Sequence, residues 1–224
     1  AVGSYTYYVT QSAGVVGCES QGATLVLNII PQITGNTVTA AQTICYNTTP
    51  ASLTGSTPGG GNGTFAYLWE SSTTSATSGF SAATGTNTGK NYSPGALTTT
   101  TWFRRVVTSG PCVDYSPAIK ITVYPQFSAG VIGTAQSICY NTTPSGLSFT
   151  TAPTGGTGSY TYQWQVSSDN STWSNIASAT TSTYAPGALT ATTYYRCNVT
   201  TGSCGSLNTA SVKITVYPVL QPGS

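Results

Sequence analysis

The chain has 224 residues, of which 4% are charged, and it contains no histidine and no methionine. With Glu19, Glu70, Asp114 and Asp169 as its only acids, it cannot build a Ser-His-Asp triad, a Cys-His dyad or a histidine metal site. Its bases leave a net charge of +2, with only Arg104 and Arg105 adjacent, so no basic stripe is offered to nucleic acid.

About a third of the chain is Ser or Thr, yet 15 Tyr, 4 Trp and a hydrophobic content of 38% supply packed cores. No apolar run approaches the roughly 18 residues of a membrane helix. No charged-then-apolar leader opens the chain, so neither membrane insertion nor a signal peptide is read here.

Residues 1–31 resemble the end of the unit that follows. Thr6-Tyr-Tyr8 takes the place of Thr101-Trp-Phe103, Cys18 that of Cys112, and the segment 23–31 that of the closing strand 118–125. The expectation is two closing strands of a preceding domain of the same kind, in a chain that is a segment of a longer tandem array.

Residues 32–125 and 126–218 are two full repeats. Ala41-Gln-Thr-Ile-Cys-Tyr-Asn-Thr-Thr-Pro50 returns as Ala135-Gln-Ser-Ile-Cys-Tyr-Asn-Thr-Thr-Pro144. Tyr67-Leu-Trp69 returns as Tyr162-Gln-Trp164, and Ser93-Pro-Gly-Ala-Leu-Thr98 as Ala185-Pro-Gly-Ala-Leu-Thr190. Lys120-Ile-Thr-Val-Tyr-Pro125 returns as Lys213-Ile-Thr-Val-Tyr-Pro218, and the offset stays between 92 and 95 throughout. Residues 219–224 form a short tail.

Within each repeat the pattern is strand. Tyr160, Tyr162, Trp164 and Val166 alternate with Thr161, Gln163 and Gln165, a period of two with one buried face. Ile119, Ile121 and Val123 alternate around Lys120 and Thr122 in the same way, as do Val212, Ile214 and Val216 around Lys213 and Thr215. Tyr195, Cys197 and Val199 should face inward. Pro and Gly clusters punctuate the strands. About seven short strands per repeat give an all-β fold of tandem immunoglobulin-like sandwiches, with Trp69 and Trp164 in the cores.

Cys45 and Cys112 are the only cysteines of the first full repeat and are expected to pair, as are their equivalents Cys139 and Cys204. Such bonds place the chain in an oxidising compartment. Cys18 is left to a residue outside this sequence. Cys197 stands where the other repeat has Arg105, and is read as a buried free thiol. The rival pairing, Cys139 to Cys197 with Cys204 free, is an alternative.

The joint pattern of Ile-Cys-Tyr-Asn-Thr-Thr-Pro, the Tyr-x-Trp strand, Pro-Gly-Ala-Leu-Thr and Ile-Thr-Val-Tyr-Pro resembles the PKD-like/Ig-like repeats of giant Bacteroidota surface proteins. The opening Tyr7-Tyr-Val-Thr-Gln and Gly17-Cys-Glu-Ser20 are similar to a related Ig-like domain of the same proteins. This resemblance implies a stalk or adhesin segment on the outer surface of a Gram-negative bacterium, exported by type IX secretion. It implies no catalytic residues and no cofactor.

The remaining chemistry is sparse. A glycosidase needs two carboxylates across one bond; the second full repeat has only Asp169, and Glu70 and Asp114 of the first lie on separate segments. Asp169 reads as a turn former. No loop holds two acids for calcium. Lys120 and Lys213 fall on solvent-facing parity and read as edge-protecting lysines rather than isopeptide donors. For a ligand, the best exposed rings are Trp102, Trp173 and Tyr194, which could stack on sugars.

The function expected is a non-enzymatic, disulfide-stabilised stalk or spacer whose partners are neighbouring repeats of the same polypeptide. The short linker Tyr124-Pro-Gln-Phe127 should limit hinging and give an elongated particle. The alternatives are an adhesin module binding surface glycans or other cells through its aromatics, and a filament subunit joined by strand addition.

Overall fold

The computed structural model describes residues 2–13 and 18–219, with the backbone alone for Ala13, Cys18 and Glu19. The Cys18 side chain and the tail from residue 220 onward lie outside the described residues. The described residues are strands joined by turns, with one 3-10 turn at Gly202–Cys204. They pack as two compact units, Ala1–Gln42 with Pro50–Gly95 and Thr101–Ile121, and Thr43–Thr49 with Ala96–Thr100 and Thr122–Ser224. The loop carrying Cys45 therefore packs with the second unit, although in sequence it belongs to the first repeat.

The first unit opens with a hairpin of β1 (Gly3–Val9) and β4 (Ala23–Ile29), beyond which β2 (Ser12–Ala13) pairs with β3 (Cys18–Glu19). The main sheet follows in the order β5 (Gln42–Ile44), β10 (Ile119–Val123), β8 (Thr101–Ser109), β6 (Ala66–Ser72) and β7 (Ser81–Ala82). The strand β9 (Cys112–Tyr115) also pairs with β8. Opposite this sheet the chain is held by single bridges, Thr34 to Gly59, Val38 to Gly55 and Leu53 to Tyr92. Between the layers lie Ile33, Leu53, Trp69, Tyr92, Phe103, Val107 and Ile121, all buried.

The second repeat builds the same sandwich with more regular pairing. Its main sheet runs β12 (Gln136–Cys139), β19 (Val212–Tyr217), β17 (Thr193–Thr200), β14 (Thr161–Ser167) and β15 (Ser174–Asn175), with β18 (Ser206–Asn208) also on β17. β12 and β19 are parallel, so a crossover over the opposite layer must join them. That layer is β11 (Val131–Ile132), β13 (Leu147–Thr151) and β16 (Thr183–Tyr184). The architecture is all-β, in tandem immunoglobulin-like sandwiches.

The period-two reading holds on the central strands. Trp164, Tyr195, Cys197, Val199, Val212 and Ile214 are core residues, while Lys120 and Lys213 are exposed. Each core tryptophan has its indole N–H satisfied by a carbonyl at 3.0 Å, Trp69 by Gly89 and Trp164 by Thr181. Trp164 packs at a tilt against the rings of Phe149 and Tyr184. Replacing Trp164 with Ala empties the centre of this cluster. We expect a loss of about 3–5 kcal/mol, readable as a lower urea midpoint.

The two cores differ at one matched pair of positions. In the second repeat Ile132 pairs with Phe149, whose ring lies 5.5 Å from that of Tyr162. In the first, the equivalent bridge joins Val38 to Gly55, and the space is filled by Arg105. Arg105 is fully buried and its guanidinium lies 5.0 Å from the ring of Tyr67. Its Nε donates to Asn36 Oδ1 at 3.1 Å, one terminal nitrogen to the Lys90 carbonyl at 3.1 Å, and the other to the Ser56 carbonyl at 2.9 Å. None of these partners is a carboxylate, and burial lowers the pKa of the guanidinium. A Cβ on Gly55 would overlap the Arg105 guanidinium. Arg105 with Gly55 and Cys197 with Phe149 are thus two fillings of one site.

Candidate functional site

The outward face of each main sheet carries rings and cations on the same strand parity, so the two types of side chain meet. Trp102, Trp173 and Tyr194, which the sequence offered as exposed rings, are half-buried. Each lies near a cation: Lys120 is 5.6 Å from the centre of Trp102, Arg196 is 4.2 Å from Trp173, and Lys213 is 5.9 Å from Tyr194. Lys120 and Lys213 sit directly across the strand pair from Trp102 and Tyr194. Cross-strand neighbours of this kind are within contact reach, and a cation over a ring contributes about 0.5–1 kcal/mol at exposed sites.

A fuller version, which parity on β8 could have signalled, surrounds Arg104. Its guanidinium lies 4.1 Å from the Phe80 ring centre and 4.6 Å from that of Tyr115, and its Nε donates to Glu70 at 2.7 Å. Glu70 is thereby bound to a base. In the second repeat Arg196 donates instead to Gln165 at 2.7 Å. Asp169 Oδ1 accepts from the Ser171 and Thr172 amides and from the Ser167 hydroxyl, each at 2.8 Å. These bonds hold its carboxyl well below the usual carboxylate range, as suits a turn former. Among the described residues no three of His, Cys, Asp and Glu gather as a metal site. No helix among them is long and apolar enough to cross a membrane.

The cysteines depart from expectation. The disulfide joins Cys45 to Cys204, and Cys112, Cys139 and Cys197 are free. The pairings Cys45 to Cys112 and Cys139 to Cys204, and the rival Cys139 to Cys197, are therefore corrected. The reason is the length of β8. Cys112 lies opposite Ser109 at one end of that strand. Cys45 follows Ile44, whose carbonyl accepts from Tyr124, just beyond the other end, where Ile121 pairs with Thr101. Eight residue steps separate the two ends, roughly 26 Å at about 3.3 Å per step. A disulfide tolerates a Cα separation of no more than about 7 Å.

Cys45 and Cys204 lie instead in a groove of about 240 Å³ walled by Tyr46, Pro125, Gln126, Phe127 and Leu207. Their Cα atoms are 5.4 Å apart. The bond ties a cysteine of one repeat to the strand turn of the next.

Cys197 is fully buried, and burial pushes its thiol up to about 11. Its pKa is raised on folding, so this group's contribution to stability is intact below the ordinary value of 9.0 and is lost as the pH climbs to about 11. At pH 8 the exposed Cys139 should react quickly with a disulfide reagent in the native chain. Cys197 should react only after denaturation, as monitored by thiol release over time.

Comparison with known proteins gives the family. A family model described as "Domain of unknown function (DUF8696)" matches residues 34–125 and again 128–218. No curated protein matches. Among solved structures, the N-terminal four Ig domains of Dscam1 isoform 6.9 share 12% identity at a TM-score of 0.42 over 95% of this chain. The chain spans about half of that structure, 54%. Domains A168–A170 of titin share 11% identity at a TM-score of 0.46, over 94% of this chain and 83% of theirs. The insect immune protein hemolin shares 14% at 0.46, over 95% and 56%.

Proposed function

Since the chain belongs to the DUF8696 family and carries its domain twice in tandem, we propose that it is a structural spacer of an extracellular surface protein, cross-braced by disulfide. The observation that carries this reading is the bond from Cys45 to Cys204, which spans 159 residues and joins one repeat to the next. A persistent bond of this kind belongs to an oxidising compartment. A surface with few charges, built of hydroxyls and amides, suits a spacer that interacts weakly with its surroundings. The resemblance of its motifs to repeats of Bacteroidota surface proteins supports a cell-surface stalk or adhesin and export by type IX secretion. Its partners in this reading are neighbouring repeats. Limited proteolysis tests the brace. Reduction should accelerate cleavage in the loop 43–49 at least tenfold, and equal rates with and without reductant would refute it.

A glycan-binding reading draws support from one groove. About 390 Å³ is lined by Ser167, Ser168, Thr172, Ser174, Thr192 and neighbouring residues, with Trp173 and Tyr194 adjoining in sequence. Titration calorimetry with soluble polysaccharides decides it. Binding that disappears in Trp173→Ala supports the reading, and no heat of binding ends it.

A further inference from the structure

Cys112 follows the rule of the bond between Cys45 and Cys204 if a third sandwich is present. We propose that Cys112 is a site of disulfide formation, taking the cysteine of an Ile-Cys-Tyr loop from a third sandwich that lies ahead of β1 in the same polypeptide. In this arrangement the β1–β4 hairpin is that sandwich's closing pair of strands.

The register of the hairpin carries the first half of the argument. In both full repeats the isoleucine four residues before the closing proline pairs with the first residue of the penultimate strand, Ile121 with Thr101 and Ile214 with Thr193. Counted back from Pro31, that isoleucine becomes Leu27, which pairs with Tyr5, so Tyr7 takes the place of Phe103 and Tyr195. The structure thereby shifts the expected match of Thr6-Tyr-Tyr8 by one residue, and one residue exchanges the faces of a strand.

The shifted register makes physical sense of the hairpin. Tyr5, Tyr7, Val9, Leu25, Leu27 and Ile29 share one face, and the more polar set Ser4, Thr6, Tyr8, Thr24, Val26 and Asn28 the other. Core equivalents that are 0% exposed in the full repeats, Ile121 and Ile214, correspond to Leu27 at 49%. Phe103 and Tyr195, each 3% exposed, correspond to Tyr7 at 50%. Among the described residues, an apolar face with core parity and core register lacks the layer that covers it in both repeats. The partner that fits is the rest of the same sandwich.

The junction repeats as well. The Gly61 amide donates to the Pro31 carbonyl at 2.9 Å, as the Gly156 amide donates to that of Pro125 at 2.9 Å. Both glycines have positive φ, 59° and 57°. At the second junction, Cys204 of the strand turn meets Cys45 beside Pro125. At the first, Cys112 occupies the equivalent turn, and its Sγ lies 4.0 Å from the Pro31 carbonyl oxygen.

A third sandwich closed by β4 would run its Ile-Cys-Tyr segment parallel to that strand, as β12 runs along β19. Its cysteine would then arrive beside Ile30, the equivalent of Tyr124, within reach of Cys112. The donor loop is itself a conserved shape within this chain: Thr48 and Thr142 each donate Oγ1 to the carbonyl of the cysteine three residues earlier, at 2.7 Å.

The bond forms by exchange. The loop cysteine first makes a mixed disulfide with a small disulfide oxidant. The Cys112 thiolate attacks the loop sulfur, the Sγ–Sγ bond forms and the oxidant's thiolate leaves. Overall, two thiols give up two protons and two electrons, and these reduce the oxidant's disulfide to two thiols.

The test extends the chain with a copy of residues 32–99 joined ahead of Ser4, refolded in glutathione redox buffer. Peptide mapping without reduction should find the copied Cys45 bonded to Cys112 while Cys45 remains bonded to Cys204. Maleimide labelling of Cys112 should fall at least tenfold relative to the unextended chain, while exposed Cys139 labels as before. Amides of β1 and β4 should gain protection from hydrogen exchange. Protected strands with Cys112 still labelled, or the copied Cys45 bonded elsewhere, overturn the proposal.

If the extended chain does not fold, the unextended chain is incubated with the peptide corresponding to residues 41–50. Mixed disulfide at Cys112 should exceed that with a scrambled peptide tenfold. Equal yields overturn the proposal, as does a Cys112-linked dimer that excludes the peptide, which would assign the face to a second copy.

Discussion

Pulled by its ends without reductant, the chain is expected to lengthen to no more than about 220 Å, and reductant under load to release a further ~550 Å. Both figures follow from the position of one bond. Only the 44 residues before Cys45 and the 20 after Cys204 lie outside the loop it closes, and an extended residue spans about 3.5 Å. The 159-residue separation encloses both core tryptophans, yet β19 lies outside it. Force applied at the C-terminal end therefore peels β19 from β17 and β12 and exposes the second core without lengthening the trapped segment. Bonds within each repeat would behave differently, releasing two separate steps of about 230 Å each. Cys45→Ser should abolish the reductant-dependent step altogether. In the chain-entropy account, closing so long a loop contributes about 5 kcal/mol, so reduction should also lower the thermal midpoint. A single-molecule trace with one large reductant-dependent step is the expected record. Two smaller steps, or none, would contradict the bond.

The parts of this molecule that were legible in its sequence are those governed by local periodicity. Alternation marked β14, β17 and β19, and the faces it assigned to Trp164, Cys197 and Ile214 are the buried ones. The repeat itself was plain, because whole strings of residues recur. The cysteine pairing was not. Counting cysteines within a repeat assumes that bonds stay within repeats, and nothing local reveals that Cys45 and Cys112 sit at opposite ends of a nine-residue strand. The surroundings of the aromatic rings are hidden for a related reason. Parity placed Trp102 and Tyr194 outside the core, but their exposure depends on Lys120 and Lys213 across the strand pair, and pairing register is not written in either strand alone. The hairpin slipped by one residue because Thr6-Tyr-Tyr8 resembles Thr101-Trp-Phe103 more closely in letters than does the face it forms. Only the backbone pairing of Leu27 with Tyr5 fixes which residues share a side.

Arg105→Cys, which gives the first repeat the residue of the second, is expected to destabilise it by about 3–5 kcal/mol rather than leave it unchanged. The substitution leaves a cavity over Tyr67 and removes the donors that Asn36 Oδ1 and the carbonyls of Ser56 and Lys90 accept from. The buried Asn36 Oδ1 left unmatched costs about 1–3 kcal/mol, the part-buried carbonyls of Ser56 and Lys90 less, and the void adds to this. Gly55→Phe alone should do at least as much harm, because the ring would compete with the guanidinium for one space. Made together, the two changes reproduce the filling seen in the second repeat, where Phe149 packs on Tyr162 and Trp164 beside Cys197. The double variant should therefore be more stable than Gly55→Phe alone and lose less than the two single losses summed, with a coupling energy of about 1–3 kcal/mol. The residual loss comes from the Lys90 carbonyl, 2.6 Å from a Cβ at position 55, and from Asn36, whose Nδ2 still reaches the carbonyls of residue 105 and Asp114 but whose Oδ1 faces an apolar ring. The mirror experiment carries the opposite sign of charge transfer. Cys197→Arg would place a cation against Phe149 in a core where the equivalent of Asn36 is Gly130, and an unpaired buried charge of this kind should prevent folding of the second repeat. Urea titration of the four variants distinguishes the cases. Strict additivity of the two first-repeat changes would show that Gly55 and Arg105 are not alternatives for one site.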